Sequence, residues 1–378
     1  MIRLICFFCC LCTAMSAQVT VDPNRTAVGD GWWRLEINVG LSEVTPYRLF
    51  TLDNPRRLVV DFQDTVWPDV SPDLLLSGDR ATALRYGALG PDWSRMVVDL
   101  AGPLEVTQAA MQTTDAGADL SIILKRTDAR SFSANTGAPS DLNLGQPVSL
   151  PPATSGGFHV VIDPGHGGID PGALRDGVSE ADLMLQLGQE VATAVDAIDG
   201  VQASLTRDAD VFVPLYTRVS SARAAGADLF ISLHADALEE DAASGASVYT
   251  LSRDGGALAA RRMIARHESG DLLAGVDLDA QGDQIATLLM DLARDQTGPQ
   301  GGEFADMLIT QMENAGVRVN TNPRRFGQLA VLSAADFPSV LVEVGFLSNA
   351  QDRAALEDPE SRATIVAAIA AAVNQFAR

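Results

Sequence analysis

The chain has 378 residues, 47% of them apolar, and its 49 acidic and 27 basic side chains leave a formal charge of -22. That length predicts two domains, and the apolar share is enough to give each a core. The acidic balance excludes a nucleic-acid partner, because a phosphate-binding surface needs clustered Lys and Arg.

Residues 1–17, MIRLICFFCCLCTAMSA, place one Arg before an apolar run that ends in small residues. This is the pattern of a secretory signal peptide, with cleavage after Ser16 or Ala17; an uncleaved anchor is the alternative, against which the shortness of the run counts. No other stretch approaches the ~18 apolar residues of a membrane span, so the exported chain is expected to have no transmembrane segment. All four cysteines, Cys6, Cys9, Cys10 and Cys12, fall in this leader. A mature chain without them excludes a thiolate metal site, a disulfide framework and a cysteine nucleophile. Any metal must then be held by His, Asp or Glu.

Residues 28–126 carry repeated short runs, among them WRLEINVGL, YRLFTL, RLVVDFQD, RMVVDLAG and LSIILKR, separated by turn residues such as Asp53-Asn54-Pro55. That spacing predicts a small all-β domain. Residues 127–157 are rich in Ser, Pro, Gly, Asn and Asp, and predict a linker. From residue 158 to 378 strands alternate with helices, which predicts an α/β domain with a mostly parallel central sheet flanked by helices. FHVVID, DLFISLHAD and PSVLVEVGF read as strands. SEADLMLQLGQEVATAVDAI reads as a helix with Leu183, Leu187, Val191, Val195 and Ile198 on one face. About fifty residues separate VYTLS from GGEFADML, far more than the ~4 to 6 of an ordinary connection. Within them, residues 253–299 carry helical periodicity and predict a helical insertion that either gates something or merely decorates the domain.

In an open α/β sheet, functional groups gather beyond the carboxyl ends of the strands. His166 follows HVVIDPG, His234 closes DLFISLHAD, Glu343 lies late in SVLVEVGF, and Glu180 occupies the first turn of a helix. Two imidazoles and a carboxylate can hold zinc and leave a position for water, which is the layout of a hydrolytic site. Each residue also has a structural explanation. One of the four histidines, His159, His166, His234 and His267, can be a core group. Glu180 can be a first-turn acid favoured by the helix dipole, after Ser179 with Asp182 completing a capping pattern. A carboxylate in a strand as apolar as that of Glu343 demands a partner or a function. Asp163 and Asp236 either orient the histidines or serve turns and caps. The absence of G-x-S-x-G, Walker and dinucleotide spacings excludes serine hydrolase, NTPase and dehydrogenase readings.

Taken together, VVIDPGHGGIDPGA, SEADLMLQLG, LTRDADVFVPLYTRVSSARAAGADLFISLHADA and PSVLVEVGFLSNAQD resemble the zinc-dependent N-acetylmuramoyl-L-alanine amidases of the Amidase_3 type, in the family's order over about 220 residues. The resemblance implies a peptidoglycan substrate, cut between N-acetylmuramic acid and L-alanine. It implies Zn2+ on His166, Glu180 and His234, and Glu343 as the catalytic glutamate. The amino-terminal runs YRLFTLDNPRRLVVDFQD and RMVVDLAGPLEV resemble the AMIN domain, implied to bind peptidoglycan and direct the enzyme to the septum of a Gram-negative periplasm. RRMIARHESGDLLAGVDL resembles the helical element that occludes the zinc of cell-separation members until a LytM-type activator displaces it. Glu268 is the implied blocking ligand, with His267 its rival. A zinc peptidase of another specificity and a non-catalytic peptidoglycan-binding protein are the competing readings.

Overall fold

A computed structural model describes residues 18–137, 150, 157–237, 244–251 and 297–378, save positions 54, 91, 328, 333 and 335. The leader, most of the insertion, and with it His267 and Glu268, lie outside the described residues.

The amino-terminal part is built of β1 (Val19–Asp30), β2 (Arg34–Leu41), β3 (Tyr47–Leu52), β4 (Arg57–Gln63), β5 (Thr65–Val66), β6 (Ala81–Ala88), β7 (Trp93–Leu100), β8 (Leu104–Thr114) and β9 (Gly117–Arg126). They form a five-stranded sheet, β5-β1-β2-β9-β8, and a four-stranded one, β3-β4-β7-β6. Alternation decides which face turns inward. In β9, Ala118, Leu120, Ile122 and Leu124 are buried between less buried neighbours, and they meet Leu58, Val60 and Met96 of the other sheet in one core. On the opposite face of the four-stranded sheet Arg95 and Asp61 form a bidentate pair, Nε to Oδ1 at 2.6 Å and Nη2 to Oδ2 at 2.8 Å, at 0% and 1% side-chain exposure.

Both ends of this unit differ from the expected bounds. β1 starts at Val19 rather than near residue 28, because Asp22, Pro23, Asn24 and Arg25 interrupt the alternation where the pairing slips between Asp22 and Ala27. The expected linker opens instead with a helix, α1 (Ala129–Ala134), which Asp128 caps by accepting from the Ser131 N–H, and whose Phe132 is buried in the β core.

The second part comprises β10 (Phe158–Pro164), the short hairpin β11 (Leu174–Arg175) and β12 (Val178–Ser179), α2 (Glu180–Asp196), β13 (Val201–Leu205), α3 (Leu215–Ala225), β14 (Leu229–His234) and β15 (Ala246–Leu251). It continues with α4 (Gly298–Asn314), β16 (Val319–Gly327), β17 (Ser339–Glu343), α5 (Ala350–Glu357) and α6 (Pro359–Phe376). The sheet order is β13-β10-β14-β17-β15-β16. The first four strands are parallel and β15 and β16 run against them. The stripe Leu183, Leu187, Val191 and Val195 of α2 packs with α4 and α6 against Val160, Ile231 and Val342 on one face. α3 covers Val161, Phe230 and Leu341 on the other.

Two of the elements that escaped the sequence reading are instructive. β16 is polar and contains Pro323, as an edge strand can afford, and α5 depends on Asn349 accepting from Gln351 and Asp352 rather than on an apolar stripe. Because Arg95 and Asp61 are fully desolvated, Arg95→Ala should destabilise the β domain by about 3–5 kcal/mol, seen as an earlier denaturant transition by circular dichroism.

Candidate metal centre

The end of β10 leads into a turn in which His166 takes a left-handed backbone, φ 59. Such a conformation is unfavourable for a residue with a side chain and persists only where the surroundings enforce it. The enforcement is visible. The Arg218 guanidinium donates to the carbonyls of Pro164 and His166, both at 2.7 Å, and Arg207 donates to Pro164 and Gly165 at 3.0 and 2.8 Å. Arg218 is itself anchored on Asp163 at 2.9 Å. Asp163 also accepts from the hydroxyls of Thr206 and Ser232.

The turn aims the imidazole. Its Nδ1 lies 2.8 Å from Asp170 Oδ2, and its Nε2 lies 3.2 Å from Glu180 Oε2. Glu180, the first residue of α2, is 1% exposed. Its Oε2 accepts from the Ala173 N–H at 2.9 Å, and its Oε1 accepts from the Ala235 N–H at 2.9 Å while standing 3.1 Å from His234 Nδ1. His234 closes β14, so strand, helix and turn deliver three ligand-capable atoms that all lie within 4.8 Å of one another. Gly172 makes room: it sits at φ 65, and a Cβ there would stand 2.6 Å from His166 Cδ2 and 2.7 Å from a Glu180 oxygen.

The electrostatics of the cluster favour positive charge among its acids. Burial opposes charge on His166, yet the Glu180 and Asp170 carboxylates hold its imidazole well above the ordinary range. Burial likewise opposes charge on Glu180, and the two imidazoles hold its carboxyl well below the ordinary range. Cationic charge is thus stabilised between these side chains. Two imidazole nitrogens and one carboxylate oxygen are the donor set that suits a zinc ion with an open position, so the residues present fit such a group.

Glu343 ends β17, paired in register with His234, and is 0% exposed. Its Oε2 accepts from the Asp236 N–H at 3.0 Å. Burial and the neighbouring Glu180 charge push its carboxyl up to about 7, against the opposing pull of His234.

The structure brings His166, Glu180 and His234 together, with Glu343 in register with His234, and it distinguishes between the two uses open to Asp163 and Asp236. Asp163 holds Arg218 and the loop rather than a histidine, and Asp236 offers its backbone N–H to Glu343. Asp170, four residues after His166 in the glycine-rich stretch, is the partner of the imidazole. Its spacing was the one available signal. Arg207 and Arg218 are 2% exposed, although an arginine in a polar run or in a helix of small residues reads as surface. His159 is structural, with Nε2 2.8 Å from Ser204 Oγ and Nδ1 3.2 Å from the Ala225 carbonyl.

The N-acetylmuramoyl-L-alanine amidase family model matches residues 160–375, and the AMIN domain model matches residues 21–124. The chain is similar to N-acetylmuramoyl-L-alanine amidase AmiC of Neisseria meningitidis serogroup B, 28% identical over 351 residues that cover 87% of this chain and 84% of that one. It is similar to amidase AmiA of Escherichia coli, 35% identical over 225 residues, covering 59% of this chain and 77% of that one. Among solved structures, an N-acetylmuramoyl-L-alanine amidase of Clostridium difficile 630 aligns with 58% of this chain and 97% of its own at 19% identity and a TM-score of 0.44.

Removing the Asp170 carboxylate should free the ring it orients. Asp170→Ala is expected to weaken divalent-ion binding about 10–100-fold, read by competition with a metal-sensitive dye.

Proposed function

The chain belongs to the N-acetylmuramoyl-L-alanine amidase family, and from that premise we propose that it is a zinc hydrolase of the periplasm. It cuts the amide between N-acetylmuramic acid and L-alanine in peptidoglycan, during separation of daughter cells. The observation that supports the zinc reading is the convergence of His166, Glu180 and His234 within 4.8 Å, beside a fully buried Glu343. No helix among the described residues is long and apolar enough to cross a membrane.

His166, Glu180 and His234 would hold the ion, and Asp170, on Nδ1 of His166, leaves the Nε2 of that ring facing Glu180. When bound, zinc supplies a Lewis acid that lowers the pKa of water towards ~7 and polarises a carbonyl. Glu343 receives the proton of the attacking water. Its raised proton affinity suits that role, and the Asp236 N–H keeps the carboxylate oriented. As the carbon–nitrogen bond breaks, Glu343 returns the proton to the departing amine of alanine. The products are a free muramoyl carboxylate and a free amino terminus on the peptide.

The insertion at 253–299 is proposed to restrain the site until a LytM-type partner displaces it, with Glu268 as the blocking group. What supports this is its sequence alone: helical periodicity in a long connection that leaves the sheet one strand after His234.

Digestion of purified sacculi, with and without a chelator, should release stem peptides with free amino termini only when metal is present, as identified by mass analysis. Glu343→Gln should retain the metal and lose about 10²–10⁴-fold in turnover; near-normal hydrolysis by the metal-loaded variant would take the residue out of this role. Deletion of residues 253–299 should raise the basal rate on the same sacculi, and a folded deletion that is no faster than the intact chain would end the restraint reading.

A further inference from the structure

Next to the metal centre, the two domains enclose a cleft of about 670 Å³. One wall is the turn that follows His166, with Gly168, Ile169, Pro171 and then Leu174. The other is built from the segment after β4 and from the ends of β6 and β7. The walls touch, so the cleft has a fixed place relative to the metal. The Phe212 N–H donates to the Ala88 carbonyl at 3.4 Å, and Ile169, Phe212 and Leu89 make a small apolar cluster. Gly168 lies so close that a Cβ on it would stand 2.2 Å from the Ala88 oxygen. The same turn carries Asp170, which holds His166.

Three aromatic rings line the β-domain side: Trp67, Tyr86 and Trp93. All are held in place. Trp67 and Tyr86 stack at 4.5 Å and 18°, the Trp67 indole N–H donates to Ser94 Oγ at 3.0 Å, and the Tyr86 hydroxyl donates to the Val70 carbonyl. The Arg48 guanidinium covers Trp93 at 4.3 Å. Five aspartates, Asp64, Asp69, Asp73, Asp92 and Asp210, also line the cleft, against one arginine, Arg85, which is already paired with Asp99 at 2.6 Å.

We propose that this interdomain cleft is a glycan subsite, holding the sugar units that flank the muramic acid residue whose amide is cut. The inference rests on the amidase reading above. The chemistry of the substrate selects between its two arms. The peptide is attached through its amino end and so ends in a carboxylate, which a wall of aspartates repels at close range. The flanking acetamido sugars are uncharged, their hydroxyls donate hydrogen bonds that carboxylates accept, and their apolar faces pack on aromatic rings. Rings already locked in place lose little entropy when a sugar settles on them. The volume lies within the ~300–1,000 Å³ of small-ligand sites, enough for a short saccharide. Because Gly168, Ile169 and Pro171 of the His166 turn form one wall, a strand lying in the cleft rests beside the hydrolytic centre.

The test uses the full chain and short uncharged strands of β-1,4-linked N-acetylglucosamine, which carry no lactyl carboxylate, with binding measured by titration calorimetry. Two variants are compared with the parent: Trp93→Ala, and the double exchange Asp69→Asn with Asp92→Asn at exposed positions, which keeps the test open if loss of the indole disturbs folding. Each folded variant should bind the strands roughly fivefold to tenfold more weakly, with KM for sacculi rising in proportion. Unchanged affinity in both overturns the subsite, as does weakened binding of free stem peptide with glycan binding intact. Binding is read without hydrolysis. A parent protein that binds strands, while its deletion of residues 253–299 is folded yet releases no peptide from sacculi, would therefore count against the amidase reading and leave the cleft standing.

Discussion

A carboxylate taken almost wholly out of water between two imidazoles is the constraint on which the second domain is organised. Glu180 is 1% exposed, and an isolated charge so placed would cost several kcal/mol. The fold offsets this from several directions. Two backbone amides, of Ala173 and Ala235, donate to its oxygens, and it opens α2, where the helix dipole favours a negative charge. The imidazoles of His166 and His234 stand at hydrogen-bond distance. These partners come from the residue before β11, a turn after β10 and the end of β14. The neighbouring places of β10, β14 and β17 in the sheet, and the packing of α2 across them, follow from the need to bring those ends together.

Beneath the cluster lies a second layer that the chemistry never touches. Asp163, Arg207 and Arg218 are buried, and the two guanidiniums donate to the backbone carbonyls of Pro164, Gly165, His166, Ala181 and Val213. A planar guanidinium with five donors can serve several such carbonyls at once, which an ammonium on a flexible stem does poorly. The glycine-rich stretch is therefore a braced support, and the left-handed backbone of His166 is the strain that the bracing holds.

What the sequence made legible follows the same division. Strong apolar strands betrayed β10, β14 and β17, and a histidine or glutamate at the end of each was conspicuous because so few polar groups interrupt them. α2 was readable from its 3.6-residue stripe. Supports that work through backbone carbonyls carry no pattern of their own: Arg218 interrupts a helix of small residues, and nothing local distinguishes it from a solvated charge. β16 and α5 were missed because an edge strand and a capped surface helix require little apolar periodicity. The start of β1 was missed because a slip in pairing at Asp22–Ala27 breaks the alternation by which strands are recognised. Asp170 could have been found by asking what the second nitrogen of a ligating histidine does, since such a nitrogen nearly always has an anionic or carbonyl partner.

Burial of charge leaves the exterior acidic. Arg57, Arg95, Arg207, Arg218 and Arg362 are buried, but so are Asp61, Asp163, Asp170, Glu180, Asp236, Glu343 and Asp352, and the two sets nearly offset one another in a chain carrying a charge of -22. Solvent and partners therefore meet an acidic face. Such a face repels anionic polymers and tolerates uncharged ones, with screening over roughly 8–10 Å at ordinary ionic strength. A glycan of acetamido sugars meets little of that repulsion, whereas the carboxylate ends of its peptides meet it in full. In the proposed subsite the same charge orients the substrate, with its uncharged sugars towards the aspartate-lined cleft and its peptide directed away.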